Sequence, residues 1–376
     1  MAESGIRRPA ARRPPPRRGG NPYAGPVLRR LLPPPRRATL LAGSRTEALV
    51  FSKLLVPLDR SLLAEQAIGP AASIARGAHA GIDFALVHEP MPLGGFHDAP
   101  WLEEQLGAEH RYVESIAAEI ATGASVATTC AVLRGAPADM IRERALAIGA
   151  DLIVMTSHGR TGFSRAWLGS VADAVMRSAA IPVLMLRPSA DHGGRRTIDR
   201  KFTRLLVPLD GSPLAASVVP IASAFARATG ASITLLQVSP TVPLVLPYDV
   251  AMPPSYLPTV ADDAATADLA DRTKRELGEV AQRLRAESGA TVSAEVVVSD
   301  RVATAIVDFV RGHSVDVVAM STHGRGASRW LLGSVADKVV RASGVATLIH
   351  RPVGIPAEAP LIDSSSVEQQ LAALNI

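Results

Sequence analysis

The chain is short of several things. Cysteine occurs once in 376 residues, at Cys130, which excludes an internal disulfide and any zinc site built on several thiolates. That residue lies in a Val/Ala/Thr run from Val126 to Leu133 and reads as a small core side chain. Aromatic residues make up only 4%, so any core must come from Ala, Val, Leu and Ile. With 47% hydrophobic and 20% charged residues, the composition is that of a globular protein able to bury such cores. No apolar stretch reaches the roughly 18 residues of a membrane span. The first residues also lack the apolar stretch of a secretory leader. A reducing, cytoplasmic setting is therefore expected, with no membrane partner.

Acidic charge is scarce at one end. Residues 1–50 hold eleven Arg against Glu3 and Glu47, a balance of +9 within a whole-chain charge of +5, which leaves −4 for residues 51–376. The high isoelectric point, about 9.8, is thus a property of the first residues. Residues 1–48 alternate Arg with Pro, as in Arg12-Arg13-Pro14-Pro15-Pro16-Arg17-Arg18. Proline removes backbone donors and like charges repel, so a disordered tail is expected. It is either a weak electrostatic contact for nucleic acid or anionic lipid, or a passive extension.

What the chain has in abundance is itself. Lys53-Leu54-Leu55-Val56-Pro57-Leu58-Asp59 returns as Arg204-Leu205-Leu206-Val207-Pro208-Leu209-Asp210. Thr156-Ser157-His158-Gly159-Arg160 returns as Ser321-Thr322-His323-Gly324-Arg325, and Leu168-Gly169-Ser170-Val171-Ala172-Asp173 as Leu332-Gly333-Ser334-Val335-Ala336-Asp337. The offsets of 151, 165 and 164 residues make each copy about one domain long, with an insertion inside the second. The organisation expected is a tail over 1–48, a domain over 51–188, a linker over 189–201, a second domain over 202–352 and a tail over 353–376.

Short Val/Ile/Leu runs at 51–58, 81–88, 125–133, 151–156 and 181–186 read as buried strands. Ala-rich segments at 62–78, 101–122, 137–148 and 170–179 read as helices between them. The second copy repeats the order, with strands near 203–209, 232–238, 291–298, 315–320 and 345–350. Such alternation predicts an α/β fold, doubly wound, with a parallel sheet in each copy and helices on both faces.

In a sheet of this kind ligands bind beyond the carboxyl ends of the strands. Asp59 and Asp210 end the first strands, where each can hold a base or ribose or cap the next helix; Ser61 and Ser212 share that choice. The loop after the fourth strand contains Gly159 and runs into a helix starting at Gly169-Ser170, with Gly333-Ser334 in the second copy. Glycine admits close backbone approach and a helix N-terminus favours an anion. A plain helix start, with Ser170 as N-cap and Asp173 completing a capping box, is the alternative. His158 and His323 have no ligand partner at metal spacing and read as loop residues. Arg160 and Arg325 either neutralise a polyphosphate or lie in solvent. Trp167 and Trp330 read as loop anchors. The second copy also carries a proline-rich connection from Ser239 to Val260, either a lid or partner-binding segment or an irregular surface loop.

These residues together resemble the universal stress protein family, arranged as a tandem pair over Phe51 to Pro188 and Phe202 to Pro352. The resemblance implies a five-stranded parallel sheet in the order 3-2-1-4-5 for each copy. ATP-binding members carry G-x2-G-x9-G-[ST] after the fourth strand. Here the second Gly is Gly159, the nine residues are Arg160 to Leu168, and Gly169-Ser170 follow, but Thr156 stands at the first Gly. The second copy departs twice, with Ser321 at that position and only eight residues between Gly324 and Gly333.

By the same resemblance, Asp59 and Val87, or Asp210 and Val238, meet adenine and ribose. Gly169, Ser170 and Val171 meet the phosphates, and Pro57, Thr156, His158, Gly159 and Arg160, with Gly324, Arg325, Gly333, Ser334 and Val335 in the second copy, complete the candidate nucleotide-binding residues. The implied ligand is ATP or another adenine nucleotide, with which magnesium could bind, and the first copy is the better match. The expected function is regulatory and not enzymatic, slow ATP hydrolysis aside. The alternative is a nucleotide-independent interaction module in which the copies form an internal pseudo-dimer. Self-association and further protein partners are compatible with both.

Overall fold

A computed structural model of the chain describes residues 49–89, 99–157, 168–187, 201–244, 261–322 and 333–352. The tail over 1–48, nearly all of the linker, and residues 353–376 lie outside the described residues, as does most of the proline-rich connection.

The first half runs β1 (Lys53–Leu58), α1 (Leu62–Glu65), α2 (Ile68–Ala78), β2 (Gly81–His88), α3 (Ala99–Ala124), β3 (Thr128–Arg134), α4 (Pro137–Ala147), β4 (Leu152–Thr156), α5 (Ser170–Ser178) and β5 (Val183–Leu186). The second half repeats it as β6 (Arg204–Leu209), α6 (Pro213–Ala216), α7 (Val219–Thr229), β7 (Ser232–Ser239), α8 (Asp263–Ser288), β8 (Val292–Val298), α9 (Val302–Gly312), β9 (Val317–Ser321), α10 (Ser334–Ala342) and β10 (Ala346–His350).

The segment 62–78, expected as one helix, is two. Pro70 has no N–H to give the carbonyl of Gln66, and its ring would press on that carbonyl, so α1 stops and α2 begins two residues before the proline. Pro220 divides α6 from α7 in the same way. Ser61 and Ser212 cap the short first helices, accepting from Ala64 N at 3.0 Å and Ala215 N at 3.1 Å. The capping role therefore falls to the serines. Asp59 Oδ1 accepts from Ser61 N, and Asp210 Oδ1 from Ser212 N and Oγ.

The ten strands form one sheet in the order β3-β2-β1-β4-β5-β10-β9-β6-β7-β8. Within each half every pairing is parallel. The halves join through β5 and β10, which pair antiparallel with Leu184 opposite Leu348. The two parallel sheets expected from the sequence are thus continuous.

Strand alternation sends side chains to two cores. Leu54, Val56, Leu152, Val154 and Leu184 face α2, α3, α7 and α8. Leu55, Ile153, Met155, Val183 and Met185 face α4, α5, α9 and α10. Both cores draw residues from both halves, so neither half closes its interior alone. Phe202 and Phe225 supply a tilted ring pair in the first core, with centroids 5.2 Å apart.

Across the junction the helices meet as pairs. Arg177 bonds Asp173 on α5 at 2.8 Å, Arg341 bonds Asp337 on α10 at 2.9 Å, and each arginine also approaches the other helix's aspartate, at 3.8 and 4.0 Å. Arg187, after β5, donates to the carbonyls of Val340 and Arg341 at the end of α10, and Arg351, after β10, donates to Arg177 O at the end of α5. A cation at a helix C-terminus answers the carbonyls left without intrahelical donors. The exchange is reciprocal: each half caps the other's helix.

Cys130 proves half-buried on the outer strand β3 and not enclosed in the core. Burial first, then the carboxylates of Glu114 and Asp83, push its thiol upward, so it stays protonated at neutral pH. Among the described residues no helix is long and apolar enough to cross a membrane.

Candidate functional site

A parallel sheet places the carboxyl ends of its strands along one edge, and in the first half that edge holds a cavity of about 210 Å³. Pro57, Leu58 and Asp59 enter it from the end of β1, Val87 and Glu89 from the end of β2, and Met155, Thr156 and Ser157 from the end of β4. Pro137 and Ile141 of α4 and Ala64 of α1 close its sides. The start of α5 contributes Gly169, Ser170, Val171 and Ala172. It lies between β1 and β4, where the chain's strand order reverses direction.

The helix start differs from the capping box considered above. Gly169 is the N-cap and has no side chain to accept from the helix, while Ser170 is already helical. The first intrahelical bond runs from Asp173 N to Gly169 O at 2.9 Å. The N–H groups of Ser170, Val171 and Ala172 precede it, so they have neither an intrahelical acceptor nor a capping side chain. Asp173 turns along the helix to Arg177 instead of back to the cap.

The connection between β4 and α5 is pinned at its feet. Ser157 N donates to Leu186 O and Gly169 N to Ser157 O, each at 2.8 Å. The second half repeats both bonds, from Thr322 N to His350 O and from Gly333 N to Thr322 O, again at 2.8 Å. This closeness explains the glycine: a Cβ on Gly333 would sit 2.9 Å from Thr322 O. The one-residue difference between the halves therefore falls inside 158–167 against 323–331, outside the described residues. His158, Gly159, Arg160, Gly324 and Arg325 lie in those segments, as do His323, Trp167 and Trp330. Thr156 and Ser321, which replace the first glycine of the motif, end β4 and β9 without positive φ. The backbone there does not require glycine.

Seven of the sequence-derived candidates, Pro57, Asp59, Val87, Thr156, Gly169, Ser170 and Val171, therefore surround one cavity. In the second half Asp210 follows β6, Val238 lies on β7, and Gly333, Ser334 and Val335 start α10 with the same uncapped geometry. The sequence reading missed Glu89, Ser157, Pro137 and Ile141. Glu89 and Ser157 sit one residue past a strand and could have been found from that position alone.

A ring of polar groups stands behind the rim. Arg60 occupies the left-handed region at φ 67°, where the second half has Gly211 at φ 79°. Its guanidinium lies 3.7 Å from Glu109 of α3, and Glu109 also bonds His88 Nδ1 at 3.0 Å. Tyr112 donates to Glu65 at 2.8 Å. These contacts tie α3 to the turn after β1 and to the end of β2. Deeper in, the fully buried Asp83 accepts from Arg144 Nε at 2.9 Å and NH2 at 2.7 Å, and from Thr129 at 2.5 Å.

The chemistry of the cavity is divided. Val87, Ile141 and Met155 supply an apolar wall, Asp59 and Glu89 supply carboxylates, and α5 supplies backbone donors. A ligand that fits carries an apolar face, hydrogen-bond donors and an anionic end.

Comparison with known proteins gives these features a context. The family model described as the Universal stress protein family matches residues 51–187 and again 201–351. A universal stress protein of Methanocaldococcus jannaschii is 32% identical over 141 residues, 37% of this chain and 83% of that protein. One from Mycobacterium tuberculosis is 30% identical over 204 residues, 54% of this chain and 62% of its own length, so the match spans under two thirds of that relative. Among solved structures, a universal stress protein from Archaeoglobus fulgidus superposes with a TM-score of 0.59 at 19% identity, covering 80% of this chain and 98% of its own.

Proposed function

The chain belongs to the universal stress protein family, whose domain it carries twice, and on that premise we propose that its first half binds an adenine nucleotide, ATP or a close relative. The bound and empty forms act as a regulatory signal, in a cytoplasmic setting. One observation carries the reading: an apolar wall, two carboxylates and an uncapped helix N-terminus line a single cavity at the switch in strand order. A nucleotide is complementary to that set. Its base is flat and apolar with an amino donor, its sugar bears hydroxyls, and its phosphates suit helix N–H groups. Pro57, Asp59 and Val87 would face base and sugar, and Gly169, Ser170 and Val171 the phosphates. Magnesium, where present, would travel with the phosphates. Binding at Asp210, Val238, Gly333, Ser334 and Val335 would be weaker, since the second half departs further from the motif. The reading is of a site that binds and signals, with no catalytic role assigned to these residues.

The full chain purified from cells should release an adenine nucleotide on denaturation, identified by mass spectrometry. Millimolar ATP should also raise its melting temperature. Absence of both would falsify the reading.

A second reading, a nucleotide-independent interaction module, draws support from the junction itself, where β5–β10 pairing and reciprocal capping already join the halves as a pseudo-dimer. Gly169→Val separates the two. It should remove the ATP-induced thermal shift under the first reading, and leave capture of protein partners unchanged under the second.

A further inference from the structure

We propose that Glu89 selects the sugar, so that the first-half cavity takes a 5′-nucleotide whose 2′- and 3′-hydroxyls are both free. This rests on the nucleotide reading above and narrows it. Glu89 is the first residue beyond β2 and lines the cavity beside Val87. Its position is held from two sides. His88 O accepts from Gly135 N at 3.2 Å, which ties the strand end to the start of α4. The His88 ring bonds Glu109 of α3 at 3.0 and 3.2 Å, and Glu109 is itself buried.

The charge layout of the cavity then orients a ligand. Phosphates are drawn to the N–H groups of Ser170, Val171 and Ala172 and repelled by Asp59 and Glu89. The uncharged part of the nucleotide falls on the carboxylate side. An ionised carboxylate only accepts, and its two oxygens can take two neighbouring O–H donors. In parallel α/β folds an acid after the second strand is well placed for a ribose. The same charge works against a phosphate at the 2′ or 3′ position. In the second half the corresponding residue is Pro240, following Ser239 at the end of β7, and it offers no side-chain acceptor. Sugar selection is therefore a property of the first half alone.

Calorimetric titration of the full chain with ATP, 2′-deoxy-ATP, 3′-deoxy-ATP and adenosine 2′,5′-bisphosphate tests this. The wild type should bind each deoxy analogue about tenfold more weakly than ATP, the loss expected for a hydrogen bond to a charged group. Glu89→Ala should bring ATP and the deoxy analogues together and improve binding of the bisphosphate. The melting temperature of Glu89→Ala, measured beside that of the wild type, confirms that the variant is folded before its affinities are compared. Equal wild-type affinities for ATP and 2′-deoxy-ATP would overturn the sugar assignment and leave nucleotide binding standing. So would an unchanged preference in Glu89→Ala. Failure of every adenine nucleotide to bind would overturn both.

Discussion

His350 offers a sharp test of the packing at the junction. It ends β10, paired in register with Ser321 of β9, and occupies the place held in the first half by the buried Leu186. Burial lowers its pKa from 6.5 to about 4, and its buried Nδ1 has no hydrogen-bond partner among the described residues. In the unfolded chain the ring takes a proton near pH 6.5; in the folded protein it resists until about pH 4. Protonation thus favours unfolding. Its effect on stability is nil well above pH 6.5, grows as pH falls through that window, and levels off below about 4. The linkage amounts to about 2 kcal/mol at pH 5 and about 3 kcal/mol at the acid plateau. His350→Leu copies the first half and removes this titration. The assay is urea unfolding of wild type and variant at pH 7.5 and pH 5. The gap between the two proteins should widen by about 2 kcal/mol at the lower pH, whatever the carboxylates common to both contribute. A gap independent of pH would show that the ring is hydrated or partnered in solution, and the reasoning from burial would fail.

Substitutions at two further contacts, one with a control, probe the fold. Gly77 of α2 lies against Ala228 of α7, and a Cβ there would stand 1.7 Å from Ala228 O. Gly77→Ala should force the helices apart and lower the unfolding free energy by about 1–3 kcal/mol in urea titration, whereas Gly278→Ala, with open space around it, should be neutral or slightly stabilising. Arg144→Ala would leave Asp83 buried with Thr129 and without its cation, at a cost of about 3 kcal/mol; Arg144→Lys should restore only part of it, because the two-pronged contact is lost.

Much of the architecture was legible because it rests on repeating local signals. Alternating runs such as Leu54-Leu55-Val56 have to be covered on both faces, and the Ala-rich segments between them supply the cover. Seven candidate residues met around one cavity for a related reason. Each lies near a strand end or starts a helix, and parallel strands bring those points to one edge. What escaped depends on contacts between residues distant in sequence. Gly169 rather than Ser170 became the N-cap because its N–H is held by Ser157 O. The joining of the sheets needs β5 and β10 side by side, although the wholly buried Val183–Leu186 strand carries a trace of it. Ile141 reaches the cavity only through the packing of α4, and no motif marks it.

The antiparallel meeting of β5 and β10 has a geometric consequence for communication. It turns the second half end for end, so that the carboxyl margins of the two sets of strands open on opposite sides of the molecule. If each half took a ligand there, the two ligands would lie at opposite margins of one sheet, and a partner docked over the first would not reach the second. Any listener that must register both would have to reach around the outermost strands, β3 or β8, or arrive in two copies. Duplication, arranged this way, sets the two copies of the same strand margin back to back across one continuous sheet.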